Sequence, residues 1–494
     1  MGKKLFAILT AVFMLCGCAT EMDVPQGEKV VEQCTKPVEL RVAALSEVWS
    51  TAQYYYGYWN QMPEDFDWDE KYQEFLPRVM NAETDDEYVD AMREFVALLH
   101  DGHTSFIPAS EYQLNKAYLP FDLEDLDGRL FLKAASRDYE VPLGSELLEV
   151  ENQPALDYIL ENFEKYVPVL TEPAHEIETI DQFLKDEKGK EITLKWLTPQ
   201  GEIVDSKVSY ETSSSVYVNQ LKTLSLSDKK HLLKSSPYFV CELNEDLVYL
   251  EISTFRGENY NLYYEQVMPI LNQYQGVIID IRNNTGGNSR NVEAVLQSFT
   301  ELPLPVEYNF ESQFISTLVP FGNEDNPIFY DGNEKNRIAK QMLDHQYYGL
   351  NESIESYLTH VDESLYANER SDVPFIMNKP VIVLTSSQTG SAGDTFASLA
   401  KEIENFTLMG LTTHGVTGNN CPVSLADGSL YSLTVDNIYG ADKQPIWNHG
   451  VQPDIEMWAT PEDLLNGEDT VLNAAIETLQ RQIKERTGEL TCLQ

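Results

Sequence analysis

Two short apolar runs constrain this chain most: Val277-Ile278-Ile279-Asp280-Ile281 and Val381-Ile382-Val383-Leu384. Each is too short for a self-sufficient buried helix and too continuously apolar for a strand with one wet face. Both therefore read as central strands of a sheet covered on both sides. After the second run, Phe396, Leu399, Ala400 and Ile403 fall on one helical face, and Phe406–Met409 reads as the next strand. That is a βαβ unit, whose functional loop is expected at the carboxyl end of the strand. A chain of 494 residues, 42% of them apolar, has the material for two to four domains around real cores.

The remaining segments differ in character. Residues 36–112 are expected to form a helical unit, because Val42, Leu45, Val48 and Ala52, and then Tyr88, Met92, Phe95, Val96 and Leu99, recur at spacings of three and four. Residues 113–212 read as a small β domain, with alternating stretches such as Leu130–Lys133 and Ile192–Trp196 separated by turns at Asp127-Gly128 and Pro199-Gln200-Gly201. Within it, Val141–Asn152 resembles the turn-and-strand of PDZ domains, with Ser145 where aspartate is usual. Such domains hold extended peptides by strand addition. Residues 213–494 form the α/β core, with an insertion expected at about 302–374 that is acidic, rich in Tyr and Asn, and reads as a lid.

Charge excludes partners rather than naming one. Eighty acidic residues against 35 basic ones give −45, and no basic block stands out. Nucleic-acid binding and electrostatic docking on anionic lipid are therefore not expected. The N-terminus supplies an address: Lys3 and Lys4 precede the apolar stretch Leu5–Leu15, so residues 1–17 read as a signal peptide. Leu15-Cys16-Gly17-Cys18 resembles a bacterial lipobox, which implies a lipid on Cys18 and a tether over residues 18–35. The expected location is the outer membrane of a bacterium, on its periplasmic or surface face; Glu21 and Asp23 resemble acidic surface-export signals. Cys34, Cys241, Cys421 and Cys492 match no zinc spacing, and neither a metal nor a cofactor is expected.

Four segments carry candidate chemistry: His100-Asp101-Gly102-His103-Thr104, Asp280-Ile281-Arg282-Asn283-Asn284-Thr285-Gly286-Gly287, Thr389-Gly390-Ser391-Ala392-Gly393-Asp394 and Gly450-Val451-Gln452-Pro453-Asp454-Ile455. The third places Ser391 at a strand-to-helix turn between small residues, beside unpaired N–H groups at a helix N-terminus. A serine hydroxyl there is a weak nucleophile until a base takes its proton. Gly286-Gly287 lets backbone N–H groups approach closely enough to face a developing oxyanion. Singly, each has a bland reading: Ser391 as a helix N-cap, Gly286-Gly287 as a turn, His103 as a loop histidine.

In order and spacing the four segments together resemble the tail-specific, or C-terminal processing, serine peptidases and their tricorn and retinol-binding relatives. The resemblance implies an α/β protease core with a crotonase-like βαβ sheet, acting on a polypeptide substrate. It implies that Ser391 is the acylated nucleophile, with Ala392 and one of Gly286 and Gly287 forming the oxyanion hole. In the lysine-dyad branch a lysine would occupy the place of Val416, so the tricorn-like branch fits better and His103 becomes the general base, with His414 the alternative. That branch also carries an acid before the fourth segment, where Ile446-Trp447-Asn448-His449 stands here; Asp436 or Asp442 are the candidate substitutes. The rival expectation is a lipoprotein on the same fold that binds peptides or apolar ligands without turnover. Oligomeric state is not legible.

Overall fold

The computed structural model describes residues 34–213, 217–221, 226, 228–312, 353–362 and 378–488. The expected signal peptide, Cys18, most of the expected tether, Cys492 and most of the expected insertion lie outside these residues.

The two apolar runs are neighbours in a seven-stranded sheet. Its order is Lys230–Ser235, Tyr238–Glu242, Leu247–Ile252, Gly276–Asp280, Val381–Thr385, Phe406–Gly410 and Ile455–Glu456. The first two pairings are antiparallel and the remaining four parallel. Every residue of Gly276–Asp280 and Val381–Thr385 is buried, as continuous apolarity requires. On one face, Val277, Ile279, Val381 and Val383 meet Val292 and Val295 of the helix Ser289–Gln297 and Phe396 of the helix Ala392–Lys401. On the other, Ile278, Ile382 and Leu384 meet Val471, Leu472, Ala475 and Leu479 of the helix Thr470–Thr487. Each such side chain stabilises the sandwich by about 1.5–3 kcal/mol.

The small β region has its own core, drawn wholly from residues between Ala117 and Tyr210, with Trp196 fully buried at its centre. Its hairpin turns at Asp127 and Gly128, both at positive φ (57° and 74°), as a two-residue hairpin turn demands. Helices Ala155–Phe163 and Ala174–Phe183 pack against this sheet.

The N-terminal helices Val38–Tyr55, Trp68–Asn81 and Asp85–Ala97 form as the periodicity predicts, the latter two capped by the side chains of Asp67 and Thr84. Their core is not self-contained: it continues into Val423, Leu425, Tyr431, Leu433 and Trp447. The strand Ser105–Ile107 pairs with Leu430–Thr434, and the Tyr88 and Tyr112 hydroxyls both donate to Asp427, each at 2.7 Å. The expected insertion also begins inside the body rather than on it. Tyr308–Glu311 pairs antiparallel with Asp436–Tyr439, and the helix Ile354–Leu358 packs on Tyr308, Phe310 and Tyr439.

Candidate active site

The helix Ala392–Lys401 starts at the carboxyl end of the sheet, and Ser391 is its first flanking residue. Ser391 holds φ 57° and ψ −120°, a conformation sparsely populated by residues with a side chain. Several bonds enforce it. The Ser391 N–H donates to Val416 O (2.9 Å) and to Asp394 Oδ2 (2.7 Å). Asp394 is fully buried and accepts three more bonds: Thr413 Oγ1 at 2.5 Å, Gly415 N at 3.0 Å and Val416 N at 3.2 Å. One carboxylate thus ties the start of the helix to the 413–416 loop. Burial pushes its pKa above the usual aspartate value, against the pull of those donors.

The glycine loop is joined to the serine loop by Asn284. Its main-chain oxygen accepts the Gly390 N–H (3.1 Å), its Oδ1 accepts the Gly286 N–H (2.9 Å) and its Nδ2 donates to Ile252 O (2.9 Å). A Cβ on Gly286 would lie 2.5 Å from Ser391 Cβ and 2.8 Å from Ala392 N, and its φ is 99°. Gly286 is therefore the residue that touches the serine, but its N–H is already used. Ala392 N–H and Gly287 N–H donate no hydrogen bond among the described residues.

The loop Asp101–Thr104 is organised by Asp101, which is buried and accepts from His103 N (3.2 Å) and Thr104 Oγ1 (2.5 Å). Gly102 leaves room for Val416: a Cβ there would lie 2.8 Å from Cγ2 of both Val169 and Val416. Val416, the residue in the dyad-lysine place, thus lies between the Ser391 backbone and the histidine loop. His103 Nδ1 is enclosed and has no hydrogen-bond partner among the described residues. The neighbouring His100 also holds positive φ (52°); burial, and then His175, push its pKa down.

His414 lies against Gly390, the residue before the serine, and its main-chain N–H donates to Thr389 O (2.8 Å). A Cβ on Gly390 would sit 3.2 Å from its Nδ1, while its Nε2 is 2.8 Å from Glu178 Oε1, a close charge contact rather than an in-line hydrogen bond. Burial opposes the charged imidazole, but the Glu178 carboxylate, with Asp394 behind it, outweighs that and raises the pKa above the ordinary histidine value.

The two candidate helper acids are engaged by nearby amides. Asp436 is buried and accepts from Asn419 N (2.5 Å), Asn419 Nδ2 (2.7 Å) and Asn309 Nδ2 (3.0 Å). Asp442 is exposed and accepts the Gln444 N–H of its own turn (2.9 Å). Asn448, in the place of the expected acid, donates to His100 O (2.7 Å) and accepts the Leu170 N–H (3.0 Å). Arg282 joins Asp280 and Asp469, and Asp454 accepts the Leu408 N–H, so these motif residues hold strand ends. Among the described residues no group of three or more His, Cys, Asp or Glu is placed to hold a metal ion.

Residues 246–457 match Peptidase family S41. That segment, less than half of the chain, is similar to this peptidase family. Over 117 residues it is 39% identical to a tricorn-like protease C-terminal subunit of Sulfurisphaera tokodaii, covering 23% of this chain and 14% of that protein. Over 213 residues it is 24% identical to the nisin-resistance protein of Lactococcus lactis, covering 43% of this chain and 52% of that one. The chain thus spans at most about half the length of these relatives. The crystal structure of mature CPAF superposes with a TM-score of 0.68 over 91% of this chain and 98% of that chain, at 18% identity, which shows a shared fold. Sequence reasoning missed Glu178, which sits in the small β region, outside the S41 match. It also missed the stitching by Asn284, although that residue lies inside the second segment.

Proposed function

We propose that this chain is an exported, lipid-anchored serine endopeptidase that cleaves polypeptides through an acyl-enzyme on Ser391. The observation that carries this reading is the strained φ/ψ of Ser391 at a helix N-terminus, with the Ala392 N–H beside it undonated. Strain of about 1–3 kcal/mol at one residue persists only where surrounding bonds over-determine it, and such residues cluster at active sites.

In the proposed reaction the Ser391 hydroxyl oxygen attacks the peptide carbonyl carbon as His103 takes the hydroxyl proton. The carbonyl oxygen becomes an oxyanion that accepts from Ala392 N–H and Gly287 N–H, the partner left once Gly286 is committed to Asn284. Collapse breaks the C–N bond, the imidazolium returns its proton to the amine, and water repeats the sequence on the ester. The small β region is read as a PDZ-like domain that presents peptide to a crotonase-like core. The N-terminal sequence supports export and lipidation on Cys18, and hence a place on the outer membrane.

Ser391→Ala should abolish both labelling by a fluorophosphonate probe and peptide hydrolysis; an alanine variant that cleaves as well as the parent removes Ser391 from its role. His103→Ala should lower kcat/KM by about 100-fold or more with the melting temperature unchanged, while His414→Ala should be mild. The reverse pattern would exchange the two histidines, and the carboxylate beside His414 is the observation that favours the exchange. The binding-lipoprotein reading draws on His103 Nδ1 having no carboxylate partner among the described residues; it requires that the parent take no probe.

A further inference from the structure

The histidine loop and the loop that holds the serine both reach Asn448. This residue lies in a turn fixed by its own backbone: the His449 and Gly450 N–H groups both donate to Ile446 O (3.0 and 2.9 Å). The buried Trp447 ring beside it stacks on Tyr58, with centroids 4.9 Å apart. Asn448 holds a positive φ of 54°, which asparagine tolerates better than most residues with a Cβ. Its hydrogen bonds go to three separate segments. The main-chain N–H donates to Gly415 O (3.0 Å), Nδ2 donates to His100 O (2.7 Å), and Oδ1 accepts the Leu170 N–H (3.0 Å). Both ends of the side-chain amide are therefore in use.

These bonds join the two halves of the site. Gly415 and Val416 present consecutive carbonyls: the first takes the Asn448 N–H, the second the Ser391 N–H (2.9 Å). On the other side, His100 O stands three residues before His103 in the same loop. That loop is pinned again just beyond His103, where Thr104 Oγ1 accepts the Thr434 N–H (3.1 Å). The two loops touch, since a Cβ on Gly102 would lie 2.8 Å from Val416 Cγ2. We propose that Asn448 is a positioning residue that sets His103 against Ser391 by holding the backbone of His100. Asn448 acts here through His103, so this role rests on the peptidase reading above. A carboxylate in the same place could not perform it. Carboxylate oxygens only accept, so one of them would face His100 O where the Nδ2 donor now stands.

Asn448→Asp isolates that bond, because aspartate also tolerates positive φ and keeps an acceptor for the Leu170 N–H. On a peptide substrate kcat should fall by about tenfold or more while KM stays within about twofold, the signature of misplaced reacting groups rather than lost binding. The melting temperature should stay within a few degrees of the parent. Asn448→Gly keeps the backbone conformation, removes both side-chain bonds and adds no charge; it should lose at least as much kcat, and it carries the test if the aspartate variant does not fold. Parental kcat in both variants, a kcat raised by the aspartate, or a loss confined to KM overturns the proposal. The underlying reading is checked separately by His103→Ala. If that substitution is mild, the base is misassigned and this inference falls with it; if it is severe while both Asn448 variants are unaffected, this inference alone fails.

Discussion

At Gly286 a single methyl group decides whether the serine can sit where it does. A Cβ would lie 2.5 Å from Ser391 Cβ and 2.7 Å from Gly390 O, at a φ of 99° that favours glycine. Gly286→Ala must therefore move the serine loop or the glycine loop. Small misplacements of reacting groups can cost about 100-fold, so kcat/KM and probe labelling should fall by about that factor while the far-UV spectrum is kept. Retained activity would show that the two loops are less tightly apposed. Gly102 works by the same principle at lower stakes, since its neighbours are Val169 and Val416 methyl groups, which can shift.

The element that organises the site is the N-terminus of the helix Ala392–Lys401, and Asp394 is its anchor. Four donors converge on this carboxylate, from Ser391, Thr413, Gly415 and Val416. An amide in its place keeps one acceptor oxygen and turns two N–H groups toward donors. Asp394→Asn should thus destabilise the protein by roughly 2–4 kcal/mol, read from urea unfolding, and lower labelling at Ser391. A stable variant with normal labelling would mean that the helix start is held by the Val416 O bond alone. The helix itself was legible from Phe396, Leu399, Ala400 and Ile403. The convergence was not, because Thr413 and Gly415 lie some twenty residues away across a strand.

For the whole molecule, the small β region touches the 413–416 loop directly. Thr171 Oγ1 fills the side of Gly415, Val167 and Val169 pack with Val416, and Glu178 meets His414. The histidine pKa is raised in the folded state, so the pair's stabilisation is complete below the ordinary histidine value of ~6.5 and is lost as pH rises through the folded value. Glu178→Gln should therefore cost about 1 kcal/mol at pH 6, both groups being partly exposed, and nothing measurable at pH 9. A gap that persists unchanged between those pH values would assign the contact to packing rather than charge.

The sequence by itself determined the elements and the reactive loops. Apolar runs such as Val277–Ile281 demand a covered strand, 3.6-residue spacing from Val42 to Ala52 demands a helix, and the spacing of Ser391, Gly286 and His103 carries the family pattern. These signals are local, set by backbone periodicity and by side-chain size at a turn. Only the tertiary structure decided which N–H of the glycine pair is left undonated among the described residues, that Glu178 is the carboxylate beside His414, and that Asp436 and Asp442 are engaged by nearby amides. It also decided that the N-terminal helices share a core with Val423, Leu425, Tyr431, Leu433 and Trp447. Each depends on groups far apart in the chain meeting within about 3–4 Å, the range over which hydrogen bonds, ion pairs and packing act. Periodicity and spacing along one chain carry no information about such meetings.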